Sequence, residues 1–373
     1  MQRLDKYFFF NLVKSTLGGV FLTLLLLLSL QVIRLGPIVV RTGVDFSILN
    51  KMLQGLSLSF TPIIIPIAFL FSSLSLFGRL SSDRELVALQ GMGYSPWRLM
   101  RPCFLAGFAL SLLTLFCALY IGPYGNRLFE KGIDEAFSKK GASILRAGTF
   151  NEEFLGRVIY VGEESKEGAF KKIFLYDKAT FKEEMIISAS EAQWNPPNKD
   201  KWAQLQLING VIISKNTPEG MIRRIRFDEY RENADFRYAE GKSRDSMESQ
   251  DLAGLLNKRA NPPEKMEAVR WLWVEFARRF WVSISFFFFV PFCFIISLRN
   301  QRTAQSRVVL TGVLLAVFYW GLYFSIVSWS AKTSSMWVHN EALIWFFISI
   351  PNLVVGAVAL KLIQRKFGRV FIT

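Results

Sequence analysis

Six stretches of this chain run for nineteen residues or more without a charged side chain: Ser15 to Ile33, Met52 to Gly78, Pro102 to Asn126, Phe280 to Leu298, Val308 to Ala331 and Ala342 to Leu360. A helix rises about 1.5 Å per residue, so the shortest of them crosses a hydrocarbon core of roughly 30 Å. A soluble fold has no interior in which to bury six such segments. The sequence therefore predicts six transmembrane helices, in keeping with 51% hydrophobic residues and a mean hydropathy of +0.27.

A net charge of +15 would point to nucleic acid in a soluble protein. Here its position excludes that reading: residues 125 to 270 hold 25 basic and 24 acidic side chains, so nearly all the excess belongs to the membrane part. Arg3, Lys6 and Lys14 precede the first run, while Arg79, Arg84, Arg98 and Arg101 separate the second from the third. Arg299, Arg302 and Arg307 separate the fourth from the fifth, and Lys361, Arg365, Lys366 and Arg369 close the chain. These clusters fall on alternate connections, which predicts cytoplasmic termini and an exported segment between the third and fourth spans. The expected division is 1–123 for the first three spans, 124–270 for the exported domain and 271–373 for the last three.

Residue usage removes several chemistries. Cys103, Cys117 and Cys293 all lie in spans, His339 is the only histidine, and no GxxxxGK[ST] phosphate loop occurs. No disulfide framework, zinc site, serine-histidine-aspartate triad or ATPase site is expected, and no cofactor.

Between spans two and three lies a short charged island, RLSSDRELVALQGMGYSP, from Arg79 to Pro96. Ser82 with Glu85 three residues on has capping-box spacing, Leu86, Val87 and Leu89 offer an apolar face, and Gly91 and Gly93 stop the helix, so a helix of about 81–91 is expected. Ser95-Pro96 then supplies an N-cap and an N1 proline for the next helix. Ser82, Asp83, Arg84, Glu85, Leu86 and Leu89 together suit a groove on another protein; the plainer reading is an ordinary loop helix. Tyr7 to Phe10 are expected on a separate interfacial helix before span one, and Pro62 and Pro66 are expected to kink or locally open the helix of span two, with neighbouring helices satisfying the freed carbonyls.

Cations also stand at the opposite ends of the spans, where the topology bias does not require them. Arg34 and Arg41 follow span one, Arg278 and Arg279 enter span four, and Lys332 leaves span five. Glu275 has helical spacing to both Arg278 and Arg279, yet one carboxylate neutralises only one guanidinium. These cations are candidate ligands for an anionic headgroup; snorkelling and internal pairing are the alternatives. The exported segment reads as a polar helix to about Lys140, then strands near 157–161, 172–176, 185–189, 201–213 and 221–227. Alternation such as Ala203, Leu205 and Leu207 against Gln204 and Gln206 predicts an antiparallel sandwich or jelly roll.

Three spans, a β-rich exported insert and three further spans, with RLDKY at the start, GRLSSDRELVALQGMGYSP in the first half and VEFARRF entering the second, resembles the lipopolysaccharide export permeases of the LptF/LptG (YjgP/YjgQ) family. LQVIRLGPIVV and SWSAKTSS are nearer the LptF member. The resemblance implies six transmembrane helices with a jelly-roll-like periplasmic domain between helices three and four, in the bacterial inner membrane. It implies a heterodimer with a paralogous permease, a cytoplasmic LptB ATPase dimer meeting the coupling helix at Glu85, an LptC-like periplasmic partner, and lipopolysaccharide as cargo. In that reading Arg34, Arg41, Arg278, Arg279 and Lys332 face the lipid's phosphates. A mechanotransmitting sensor is the main rival, but such chains carry four spans with the domain after the first; a lipid-modifying enzyme would need ionisable groups clustered within the spans.

Overall fold

In the computed structural model the described residues are 3–42, 45–140, 147–154, 157–165, 169–177, 184–195, 204–215, 222–233, 247–261, 266–299, 305–332 and 341–367. Every charge-free run is helical, and each helix overruns its run, because backbone hydrogen bonding continues once polar residues leave the hydrocarbon. The helices are α1 (Arg3–Thr42), α2 (Phe46–Ser82), α3 (Glu85–Gly91), α4 (Pro96–Phe116), α5 (Gly122–Lys140), α6 (Leu252–Ala260), α7 (Met266–Arg299), α8 (Gln305–Lys332) and α9 (Glu341–Phe367). A π-helical turn, Cys117–Ile121, joins α4 to α5, so the third span is α4, this turn and the start of α5. Six helices are long and apolar enough to cross a membrane, as expected.

One expectation at the first span is corrected. No separate interfacial helix precedes span one: α1 is continuous from Arg3 to Thr42 and carries Phe8 into the core, while Tyr7 and Phe10 stay exposed. Nothing in that segment supplies a break, so the aromatic residues simply form its first turns. α2 contains both Pro62 and Pro66 within its helical span. Beside Pro62, Thr61 Oγ1 donates to Ser57 O at 2.9 Å and Ser59 Oγ to Leu56 O at 3.0 Å.

The chain divides into two compact units. The first, Met1–Leu30, Gly55–Asn126 and Met247–Thr373, contains the membrane core. Its centre is α7, 67% buried over its apolar window, with α2 at 61%; α1 is 6% buried and α8 33%. Edge-on aromatic pairs lock α7 to its neighbours: Phe69 with Phe286 and Phe77 with Phe294 tie it to α2, and Phe289 with Tyr319 to α8. Polar clamps set the register. Ser81 Oγ donates to Ser297 O at 2.8 Å and Ser111 Oγ to Ser283 O. Tyr319 Oη donates to Asn352 Oδ1 at 2.8 Å, while Asn352 Nδ2 donates to Trp281 O at 3.0 Å. Without water to compete, such interhelical bonds contribute roughly 0.6–2 kcal/mol each.

The second unit, Gln31–Gln54 and Arg127–Ser246, contains the insert. The expected all-β insert is present as a six-stranded antiparallel sheet whose strands pair in sequence order: β1 (Phe150–Phe154), β2 (Arg157–Ser165), β3 (Ala169–Asp177), β4 (Glu184–Asn195), β5 (Gln204–Lys215) and β6 (Ile222–Asn233). The sequence reading found the last five and missed β1, whose FNEEF has no clean alternation. Ile159, Leu175 and Ile187 lie in register on the buried face, as do Val161, Ile173 and Ala189. Leu205 and Leu207 are buried as the alternation predicts; Ala203, at the head of that pattern, lies outside the described residues. On the solvent side Lys172 Nζ donates to Glu163 Oε1 at 2.6 Å, and that bond and its charge hold the Glu163 carboxyl below its ordinary range.

One close approach depends on glycine. A Cβ at Gly125 would stand 2.6 Å from both Gly55 O and Ser59 N, so α5 lies directly on the backbone of α2. Gly125→Val is expected to cost about 1–3 kcal/mol, read as a lower midpoint of thermal unfolding in detergent. Gly18→Val, where a Cβ meets nothing within 4 Å, is expected to leave the midpoint unchanged.

Candidate functional site

Two constructions carry the candidate residues. The first is α3 and its flanks. Leu86 is fully buried in the membrane core and Leu89 packs against that core, so one side of this seven-residue helix is pinned. Ser82, Asp83, Arg84, Glu85 and Val87 are exposed. Val87, expected on the apolar face, therefore points outward, because a helix this short keeps only one residue per turn against the core. The capping box is also corrected. α2 runs through Ser82, whose Oγ donates back to Gly78 O at 3.0 Å. The N-cap position is Arg84, held left-handed at φ 58° with no side-chain cap, a conformation costing an L-residue roughly 1–2 kcal/mol. The turn at Asp83–Arg84 is thus made by backbone strain that the packing of Leu86 and Leu89 offsets.

The far end follows expectation. α3 stops at Gly91, and Gly93 takes φ 85°, which glycine adopts freely. Ser95 Oγ accepts from Arg98 N at 3.3 Å and Pro96 occupies the first position of α4. Arg98 stacks over Tyr94 at 4.9 Å, a cation–π contact that fixes the exit from the loop.

The second construction is an ionic node on the first turns of α7. Arg278 grips Glu275 with two bonds, Nε to Oε2 at 2.8 Å and Nη2 to Oε1 at 2.6 Å, while Arg279 Nε donates to Oε1 at 2.7 Å. The single carboxylate is thus shared by both guanidinium groups, where the sequence allowed pairing with only one. Arg279 extends further: its Nη2 donates to Gln250 O at 2.8 Å, Met247 O at 3.2 Å and Glu248 O at 3.4 Å. Asn126 Nδ2 donates to Glu248 O at 3.1 Å, and Tyr323 Oη donates to Arg278 O at 3.1 Å. The residue at which the chain leaves the first unit, Asn126, and the segment on which it returns, 247–250, are therefore fastened at one point.

Burial separates the two arginines. The Arg279 side chain is 3% exposed and that of Arg278 25%. A cavity of ≈ 30 Å³ adjoins them, walled by Pro62 of α2 and Gly122 and Pro123 beyond the π turn. It has room for a water to meet buried Arg279 Nη1, which has no protein partner among the described residues. Of the other candidate cations, Arg34 and Arg41 fall on the last turns of α1 and Lys332 is the last residue of α8; their side chains lie outside the described ones. Sequence reasoning missed Asn126 and the carbonyls of 247–250, since a backbone acceptor leaves no signal in residue identity. Asn352, the lone asparagine in an apolar run, did leave one. No group of histidine, cysteine or carboxylate side chains able to hold a metal occurs among the described residues.

The sequence matches the family described as Lipopolysaccharide export system permease LptF/LptG over residues 6–365. The chain belongs to the LptF/LptG family. No individual curated protein matches it. As a member it is a multi-pass membrane permease of lipopolysaccharide export, and the β insert after its third span accords with that family's architecture.

Two stability outcomes follow. Glu275→Gln leaves two guanidinium groups uncompensated and is expected to cost the permease about 3–5 kcal/mol, seen as a large fall in its unfolding midpoint in detergent; an unchanged midpoint would show the node to be ornamental. Ser95→Ala is expected to cost about 1 kcal/mol through loss of the α4 cap, and Ser82→Ala nearly nothing. Equal losses in the two serine variants would restore the capping box.

Proposed function

We propose that this permease works as one subunit of an ABC transporter in the bacterial inner membrane, with both termini and α3 in the cytoplasm. It pairs with a paralogous permease and is driven by a separate ATPase dimer of the LptB kind. Lipopolysaccharide is taken from the outer leaflet and passed through the jelly-roll-like insert to an LptC-like partner and a periplasmic bridge. The expected division into 1–123, 124–270 and 271–373 belongs to this proposal.

The observation that carries the coupling is α3 and the turn before it: Asp83, Arg84 and Glu85 are exposed, while Leu86 is buried in the membrane core and Leu89 packs against it. Force on Glu85 passes to that core through Leu86 and Leu89. The apolar but barely buried α1, and the one-third-buried α8, supply the surface for the second permease and the lipid between them.

At the other end, Arg34, Arg41, Arg278 and Lys332 offer charge-assisted bonds to the lipid's phosphates. Arg278 keeps an exposed edge for this purpose. Arg279 serves the same site from beneath, because its bonds to Glu275 and to the returning chain orient the carboxylate that aims Arg278.

Affinity purification of the tagged chain is expected to recover a second six-span permease, a soluble P-loop ATPase and bound lipopolysaccharide. Glu85→Lys is expected to release the ATPase or uncouple its turnover from transport while leaving the unfolding midpoint of the permease unaltered. Normal coupling in that variant would remove Glu85 from the contact, and recovery of the chain without any ATPase would overturn the transporter reading.

A further inference from the structure

Three cations converge where α1 begins and α2 ends. Lys6 and Lys14 of α1 and Arg79 of α2 line one open cleft of ≈ 550 Å³, together with Tyr7, Phe10 and Asn11. Among the described residues no carboxylate lines it. Tyr7 Oη accepts a bond from Arg79 Nη2 at 3.2 Å, which holds the guanidinium over the cleft instead of leaving it to sweep through solvent. Arg98 of the neighbouring loop is committed instead to the ring of Tyr94.

The helix geometry extends this cleft into the membrane. Lys6, Phe10 and Lys14 recur every fourth residue and so share a face of α1, and Leu17 and Phe21 continue the same face inward. Phe10, Leu17 and Phe21 are 66%, 54% and 70% exposed, an apolar track leading straight out of the cationic cleft. A positive pocket at the water boundary with an open hydrocarbon track beneath it matches a diacyl lipid with a phosphate headgroup. Topological charge bias explains why cations stand at this end of the helices; it does not explain their convergence on one groove or the tyrosine that positions Arg79.

We propose that this cleft is a binding site for an anionic phospholipid of the leaflet nearest the N-terminus. Lys6, Lys14 and Arg79 hold its phosphate, Asn11 and Tyr7 lie beside the glycerol, and one acyl chain lies along Phe10, Leu17 and Phe21. The site is separate from the ionic node on α7 and does not depend on which face of the membrane the N-terminus occupies. Its occupant braces the start of α1 against α2 at the root of α3.

The test is native mass spectrometry of the full chain, tagged at its C-terminus, titrated with palmitoyl-oleoyl phosphatidylglycerol or the matching phosphatidylethanolamine. Phosphatidylglycerol is expected to be retained preferentially, and Lys6→Gln, Lys14→Gln and Arg79→Gln each to weaken that retention about fivefold. Lys6→Arg with Lys14→Arg is expected to keep it, which separates lost charge from lost fold. Equal retention of the two lipids, or full retention by the triple glutamine variant, overturns the proposal. Displacement of the lipid by an equal concentration of inorganic phosphate also overturns it, since the acyl track would then contribute nothing. If the triple variant keeps phosphatidylglycerol but loses a co-purifying soluble protein, the cleft is a protein dock and the lipid site is refuted.

Discussion

The membrane unit depends on a carboxylate that two arginines share. Taking Glu275, Arg278 and Arg279 out of water is costly, and only their mutual bonds, with the carbonyls of 247–250, offset that cost. The geometry therefore has little freedom: α7 must present these residues on adjacent turns, the returning chain must pass within reach of Arg279, and Asn126 must secure the same loop. Because α7 is also the most buried helix and packs against α2, α4, α8 and α9, fixing its first turns fixes the register of the bundle.

The opposite end is built on a different principle. There the chain accepts strain, a left-handed Arg84, to turn sharply from α2 into α3, and buried Leu86 with half-buried Leu89 holds the result. Asp83, Arg84 and Glu85 at that end are exposed, whereas Arg279 is buried. One end of the unit is thus a closed ionic clasp and the other an open presentation of charge.

Between the ends, burial is uneven in a way that follows from function. α7 and α2 are core helices of this chain, whereas α1 spans the membrane with almost nothing of its own packed on it. In a bilayer that surface is not unstable, since lipid tails solvate leucine as well as protein does; it is available to lipid. The cationic cleft at the root of α1 lies at the end of this available surface, where headgroup chemistry and apolar track meet.

The sequence by itself determined the six spans, the β insert and the family. Uninterrupted hydrocarbon length, period-two alternation and the alternate placement of cations are written in residue identity and survive any detail of packing. The Ser95-Pro96 cap was legible for the same reason: its bond is local. Only the tertiary structure decided that Ser82 belongs to α2 and caps nothing, that Val87 faces outward, that α1 is one helix, and that Glu275 binds both arginines. Each of these depends on what lies across a helix interface or on a distant backbone carbonyl. β1 was missed because its pairing with β2 supplies the order that its own residues do not. Spacing along the chain can place Glu275 next to Arg278 and Arg279, but it cannot supply Gln250 O, and that acceptor is what turns a local ion pair into the clasp of the whole unit.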